Sequence, residues 1–227
     1  MTRLRTMLRG DREKLSAWLA ASDTRSILGC LITIVVGSAL YGFTIGIWRA
    51  PIQSLYTAIK FPLLILLTCA GNGLLNGMLA QVLGSGLSFK QTTLAILMSF
   101  AIAAIVLGSL SPVTLFVWYN APPFGAPNAT AGYSLILLVH VFLIAFAGVM
   151  ANRRLLDLLK KFSGHDRTAR AVFLSWLAGN LFLGAQLAWN LRPFIGHPTI
   201  AVQFIRADPL RGNFYEAVWA AFRNLFL

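Results

Sequence analysis

Five stretches of this chain are apolar almost without interruption, at 26–48, 61–83, 92–115, 132–150 and 171–191, and the polar residues gather between them in short blocks. A helix needs about 20 residues to cross the hydrocarbon of a bilayer. Each run therefore predicts a membrane span, and together they define a bundle over 26–191. The first run exceeds the roughly 7–15 residues of a cleavable signal core and has no small-residue cleavage site after it, so it is expected to stay in the mature protein. Before it, in 1–25, Leu4, Met7, Leu8, Leu15, Trp18 and Leu19 share one helical face with Arg5, Arg9, Arg12 and Lys14 around it. This spacing predicts an amphipathic basic helix lying on the membrane surface. After the last span, 192–227 forms a tail that ends in a second amphipathic segment, 213–227. There Asn213 opens the helix with Glu216 three positions on, Phe214, Val218, Phe222 and Leu225 form one stripe, and Tyr215, Trp219 and Phe226 form an aromatic one. At about 15 residues it is too short to cross. The fold class is all-α, a polytopic membrane bundle of five transmembrane helices with amphipathic interfacial helices at both ends.

The turns supply finer detail. Ser88 with Gln91 three residues later reads as a capping box that starts the third span and closes a tight hairpin with the second. Pro62 is expected in the first turn of the second span, where a missing N–H costs nothing. Pro112 lies late in an apolar run that continues to Tyr119, so a kink is expected there. The uncharged 119–130, "YNAPPFGAPNAT", reads as a proline-rich outer loop, and Asn128-Ala129-Thr130 within it fits a glycosylation sequon.

Composition agrees with the pattern. Apolar residues make up 57% and charged residues 11%, against about 45–50% and 25% in soluble domains. The net charge of +12 would point to nucleic acid in a soluble protein. Here the cations lie between apolar runs, so they read as topology signals and as contacts to anionic lipid headgroups, with no nucleic-acid partner. With five spans and a cytoplasmic N-terminus, thirteen Lys and Arg fall on the cytoplasmic side and six outside, which favours N-terminus in and C-terminus out. Four spans with a re-entrant fifth run is the competing topology.

Cys30 and Cys69 lie inside apolar runs and read as packing residues. All seven acids lie outside the spans, which argues against a carboxylate relay or an intramembrane metal site, and no cofactor or catalytic residue is assigned. Ser85 has no histidine placed to activate it, so a serine hydrolase is not expected. His140 is read as the only ionisable residue within a span, Cys and Tyr aside. The intramembrane polar cluster is Asn72, Asn76, His140, Asn180 and Gln186, either gluing helices together beside Gly73 and Gly77 or lining a cavity for a solute. After the fifth span, in "AWNLRPFIGHP" and beyond, Arg192, His197, Arg206 and Arg211 are the candidate contacts to an anion such as a lipid headgroup. The other reading has Arg192 snorkel to the interface while Pro193 simply ends the helix.

Residues 66–100, "LLTCAGNGLLNGMLAQVLGSGLSFKQTTLAILMSF", resemble the helical hairpin of bacterial relatives of the Yip family, and Gly132-Tyr133-Ser134 resembles a motif of that family. The resemblance implies a five-span bundle with a cytoplasmic N-terminus. The Asp-Leu-Tyr-Gly-Pro motif of the eukaryotic members is absent, so GTPase binding does not carry over. The tail resembles that of uncharacterised bacterial membrane proteins, which implies a bacterial inner membrane. The expected function is a non-enzymatic membrane scaffold or adaptor working through lipids, a membrane-protein partner or a second copy of itself. The alternative is a small-solute channel or transporter.

Overall fold

The computed structural model describes residues 17–19, 24–82, 88–163 and 166–226. Among them there are helices and loops and no strand. The helices are α1 (Thr24–Gly46), α2 (Pro51–Val82), α3 (Phe89–Ser109), α4 (Ser111–Asn120), α5 (Ala129–Ser163), α6 (Asp166–Asn190) and α7 (Phe214–Phe226). Five of them, α1, α2, α3, α5 and α6, are long and apolar enough to span a membrane. They run up and down, so the 47–50 turn, the 121–128 loop and the 191–213 tail meet at one end of the bundle, called here the tail end. Apart from 17–19 and 24–25, the basic segment expected at 1–25 falls outside the described residues, as do Ser85 and His165.

The most buried span is α3, which packs against α1, α2 and α5, whereas α6 is the most peripheral. The α1–α3 crossing is tight because small residues face each other. A Cβ placed on Gly37 would stand 2.5 Å from the Ala104 carbonyl oxygen, and one on Gly108 would stand 3.2 Å from the Gly37 carbonyl oxygen. In lipid, where helices gain little from burying apolar surface against each other, close backbone approach of this kind drives packing. Large apolar side chains such as Leu28, Val36, Leu74, Phe142 and Phe182 face outward. That arrangement suits a hydrocarbon solvent.

Several expected boundaries move. The second span does not begin at 61: α2 starts ten residues earlier, with Pro51 at its first position and Ala50 accepting from Gln53 and Ser54. Pro62 is therefore inside a helix rather than in its first turn. The polar residues Gln53, Ser54, Thr57 and Lys60 interrupt the apolar run, yet all are buried on one side of α2. Lys60 is thus a buried ionisable residue of a spanning helix, as His140 is, and not a loop cation.

The third run divides where proline dictates. Residue 112 lacks an N–H to donate to the Gly108 carbonyl, α3 stops at Ser109, and Pro112 lies in the first turn of α4. The capping box forms as the sequence spells it, with Ser88 Oγ accepting from Gln91 N–H and Gln91 Oε1 from Ser88 N–H. Helix α5 runs well past the expected stop at 150. Ala147, Ala151, Leu155 and Leu159, at four-residue spacing, keep one face buried as far as Leu159. The terminal helix α7 folds back onto α5 and α6 and buries Ala221.

Candidate functional site

The polar residues of α2 form one line along the helix: Gln53, Thr57, Lys60, Thr68, Asn72 and Asn76, at spacings of three, four or eight residues. Its lower half faces α6. Asn72 Nδ2 donates to the Thr68 carbonyl at 2.9 Å and Asn76 Nδ2 to Asn72 Oδ1 at 3.4 Å. Gly179 of α6 lies opposite, so close that a Cβ there would be 2.9 Å from Asn72 Oδ1. Gly73 and Gly77 face α3 instead, against Thr93 and the Phe89 ring. Of the expected intramembrane cluster, Asn72 and Asn76 are thus together beside the α6 turn that carries Asn180. Asn180 Oδ1 is buried without a partner, as is Trp176 Nε1 one turn away. His140 is engaged elsewhere. Its Nδ1 lies 2.8 Å from the Tyr41 hydroxyl, joining α5 to α1. Gln186 is half-buried further along α6.

The upper half of the line holds the tail. Gln53 Nε2 donates to the carbonyls of Pro193 and Phe194, each at 2.9 Å, and Thr57 Oγ1 to that of Phe194 at 2.7 Å. Lys60 Nζ donates to Pro193 O and, at 2.7 Å, to Phe204 O. The Phe194 and Phe204 rings flank the Lys60 Nζ at 5.3 and 5.4 Å. Arg49 Nη2 donates to Ile200 O at 3.2 Å. Irregular backbone next to an apolar bundle must find donors for its carbonyls. Here α2 and the turn before it supply them.

Held in this way, the tail brings two guanidinium groups together. Arg192 Nη2 and Arg206 Nη2 both donate to the Arg211 carbonyl, at 2.7 and 3.2 Å, and Trp189 Nε1 donates to the same oxygen at 3.0 Å. Gly212 makes this convergence feasible: its φ is +79°, and a Cβ would lie 2.9 Å from the Trp189 ring. A left-handed turn therefore presents the carbonyl, at a position only glycine fills easily. Arg192 stacks on Trp189. The Nε atoms of Arg192 and Arg206 are both buried and have no hydrogen-bond partner. Loss of solvent, and secondarily the nearby charge of Arg206, push Arg192 down to about 10 from its ordinary value, which leaves it charged at neutral pH.

Beside this pair lies a cavity of about 340 Å³, walled by the first turns of α5, the end of α6, the tail loop and α7. This is at the small end of the range for ligand pockets, about 300–1,000 Å³. Its lining combines Arg192, His197 and Arg206 with apolar residues including Leu137, Ile195, Phe214 and Val218. Of the four expected anion contacts, three therefore line one cavity. Arg211 contributes its carbonyl rather than its exposed side chain. His197 is turned toward Thr199, with Nδ1 2.9 Å from Oγ1, and its ring meets Tyr133 edge-on at 5.2 Å. Burial lowers its pKa. Sequence reading missed Gln53, Thr57, Lys60 and Tyr133. The first three were detectable as an i, i+4, i+7 polar face following a proline.

No family model, curated protein or solved structure matches this chain.

Proposed function

We propose that this chain is a non-enzymatic integral membrane scaffold of Yip-like architecture that holds an anionic lipid headgroup at the tail end of its bundle. The observation that carries the reading is the pair Arg192 and Arg206. Both converge on one neutral carbonyl, both keep a buried Nε–H without an acceptor, and both border a cavity of largely apolar character. A buried donor without a partner costs about 1–3 kcal/mol, and more when it is charged, so an anion that accepts from both is strongly favoured there. The charge distribution supports a cytoplasmic N-terminus and a C-terminus outside, and the resemblance to bacterial Yip relatives supports a bacterial inner membrane. A partner protein or a second copy would then read the lipid-loaded surface.

The test is the lipid retained by the full chain after purification in a neutral detergent, identified by mass spectrometry. Anionic lipid should be enriched over zwitterionic lipid, and the enrichment should vanish in the double variant Arg192→Gln, Arg206→Gln. Equal retention of both lipid classes by the unmodified chain would reject the reading.

One observation favours a small-solute pathway as a second reading: Trp176 Nε1 and Asn180 Oδ1 are buried and unpartnered on the α6 face that carries Gly179, opposite Asn72 and Asn76. That reading requires solute flux in liposomes that Asn76→Leu abolishes while the protein still folds. A scaffold gives no flux in the intact protein.

A further inference from the structure

The pair of guanidinium groups specifies more than a negative charge, and the inference that follows rests on the lipid-anion reading above. Arg192 and Arg206 are held close enough to share one acceptor, the Arg211 carbonyl. That carbonyl satisfies hydrogen bonds but cancels no charge. Arg206 also donates to residue 208, but to its backbone carbonyl at 2.8 Å and not to its carboxylate. Among the described residues neither arginine has an ion pair. Two positive charges therefore stand side by side with no carboxylate at ion-pair distance. Like charges at this separation repel, the more so where water is partly excluded. A monoanion would offset one of them and leave the other exposed to that repulsion, whereas a dianion offsets both.

Phosphate monoesters carry about −1.5 to −2 at neutral pH, with a second ionisation near pH 6, and offer three strong acceptor oxygens. Phosphodiesters carry one negative charge. The rest of the cavity indicates what the phosphate is attached to. Leu137, Ile195, Phe214 and Val218 present hydrocarbon, as a lipid chain requires. We propose that the tail-end cavity binds a phosphomonoester lipid, its phosphate between Arg192 and Arg206 and the start of its hydrocarbon chain between α5 and α7. The Trp189 ring beneath Arg192 and the turn at Gly212 fix the guanidinium planes in advance, so little side-chain freedom is lost on binding.

The experiment titrates the full chain in neutral-detergent micelles with phosphatidic acid, phosphatidylglycerol, phosphatidylcholine or inorganic phosphate, and reads occupancy by native mass spectrometry. Phosphatidic acid should bind at least about tenfold more tightly than phosphatidylglycerol, as two charge-assisted contacts to a dianion require. Between about pH 7.5 and about pH 5 its affinity should fall relative to that for phosphatidylglycerol, because only the monoester takes up a proton there, whereas protonation of His197 in the cavity wall acts on both lipids alike. This pH readout uses the unmodified protein and does not depend on any variant folding. Arg206→Gln should bring phosphatidic acid down to the level of phosphatidylglycerol, and Arg223→Gln, on the exposed face of α7 and outside the cavity lining, should leave both unchanged. Equal affinity for the two anionic lipids would overturn the phosphomonoester assignment while leaving a general anionic-lipid site. Equal affinity for all three lipids would overturn both. Inorganic phosphate that displaces phosphatidic acid at comparable concentration would overturn the lipid part and leave a phosphate site.

Discussion

Replacing Lys60 by methionine tests the account of the tail most directly. The substitution keeps the unbranched apolar stem and removes the ammonium group, its donors and its charge together. The carbonyls of Pro193 and Phe204 then lose the contact that Nζ makes with each, in a site where Lys60 is fully buried. An acceptor left unpaired inside a protein costs about 1–3 kcal/mol, and Phe204 O is left so; Pro193 O keeps the bond from Gln53 Nε2 and loses only about 0.5–1.5 kcal/mol. Part of this is offset, because the amino group no longer has to be taken out of water. The net weakening expected in the attachment of the tail is about 1–3 kcal/mol. At about 1.4 kcal/mol per factor of ten, the detached fraction rises by roughly fivefold to a hundredfold. The bundle itself should be little affected, since the lost contacts all lead to 193–204. Trypsin reports on the tail through Arg206 and Arg211, both beyond the last span. Cleavage there in reconstituted protein should accelerate by at least about fivefold in Lys60→Met, while the α1–α6 fragment remains intact. An unchanged rate at both arginines, with the protein otherwise folded, would show that Lys60 does not hold the tail.

Two further expectations concern the helix contacts and pH. Gly37→Ala should lower the thermal midpoint of the detergent-solubilised protein, read by the exposure of the buried Cys30 and Cys69 to a thiol reagent. The new Cβ would sit 2.5 Å from a backbone oxygen of α3, and such overpacking costs about 1–3 kcal/mol; Gly29→Ala, with open space around it, is the control, and equal midpoints for the two would refute the tight crossing. For His197, burial places the folded pKa below the ordinary 6.5, so its contribution to tail stability is present above about pH 6.5 and is lost as pH falls toward the depressed value. Protease sensitivity of 192–213 should therefore rise on acidification with a neutral-pH-active protease pulse taken as reference, and His197→Asn should flatten that dependence; a parallel rise in the variant would assign the effect to another group.

What the sequence disclosed and what it concealed divides by the range of the interactions. Ser88 with Gln91 was readable because a capping box closes within one turn, and the break before Pro112 because proline acts on its own backbone. The five spans were readable because hydropathy is summed over 20 residues and needs no partner. The start of α2 was not, because Gln53, Thr57 and Lys60 look like a loop when each is judged as a polar residue against an apolar run. Their shared helical face carries the opposite message, and Pro51 is the proline at a helix start that the reading had assigned to Pro62. Only the carbonyls of 193–204 explain why such residues are buried, and these lie more than 130 positions away. His140 fails as part of an amide cluster for the same reason: its partner, Tyr41, is 99 residues distant. The convergence of Arg192 and Arg206 is partly local, but it needs the Gly212 turn to supply the acceptor.

The cations at the tail end also revise the meaning of the positive charge. Topology alone asks only that arginine and lysine be distributed unequally across the membrane, and it assigns no task to those on the poorer side. Yet at this end Arg49, Lys60, Arg192 and Arg206 each donate to a backbone carbonyl, and none meets a carboxylate among the described residues. A carbonyl meets the geometric demand of a donor and leaves the charge in place. Lys60 is flanked by aromatic rings, Arg49 lies 3.9 Å above the Phe124 ring, and Arg192 stacks on Trp189. Ring faces soften an isolated cation by about 0.5–2 kcal/mol, which suffices for one charge at a time. They do not offset the repulsion between two guanidinium groups sharing an acceptor. Arg49 also has a buried Nε–H without an acceptor, but the repulsion is confined to Arg192 and Arg206, where unfilled Nε–H groups and paired charge coincide and are met by the same class of ligand.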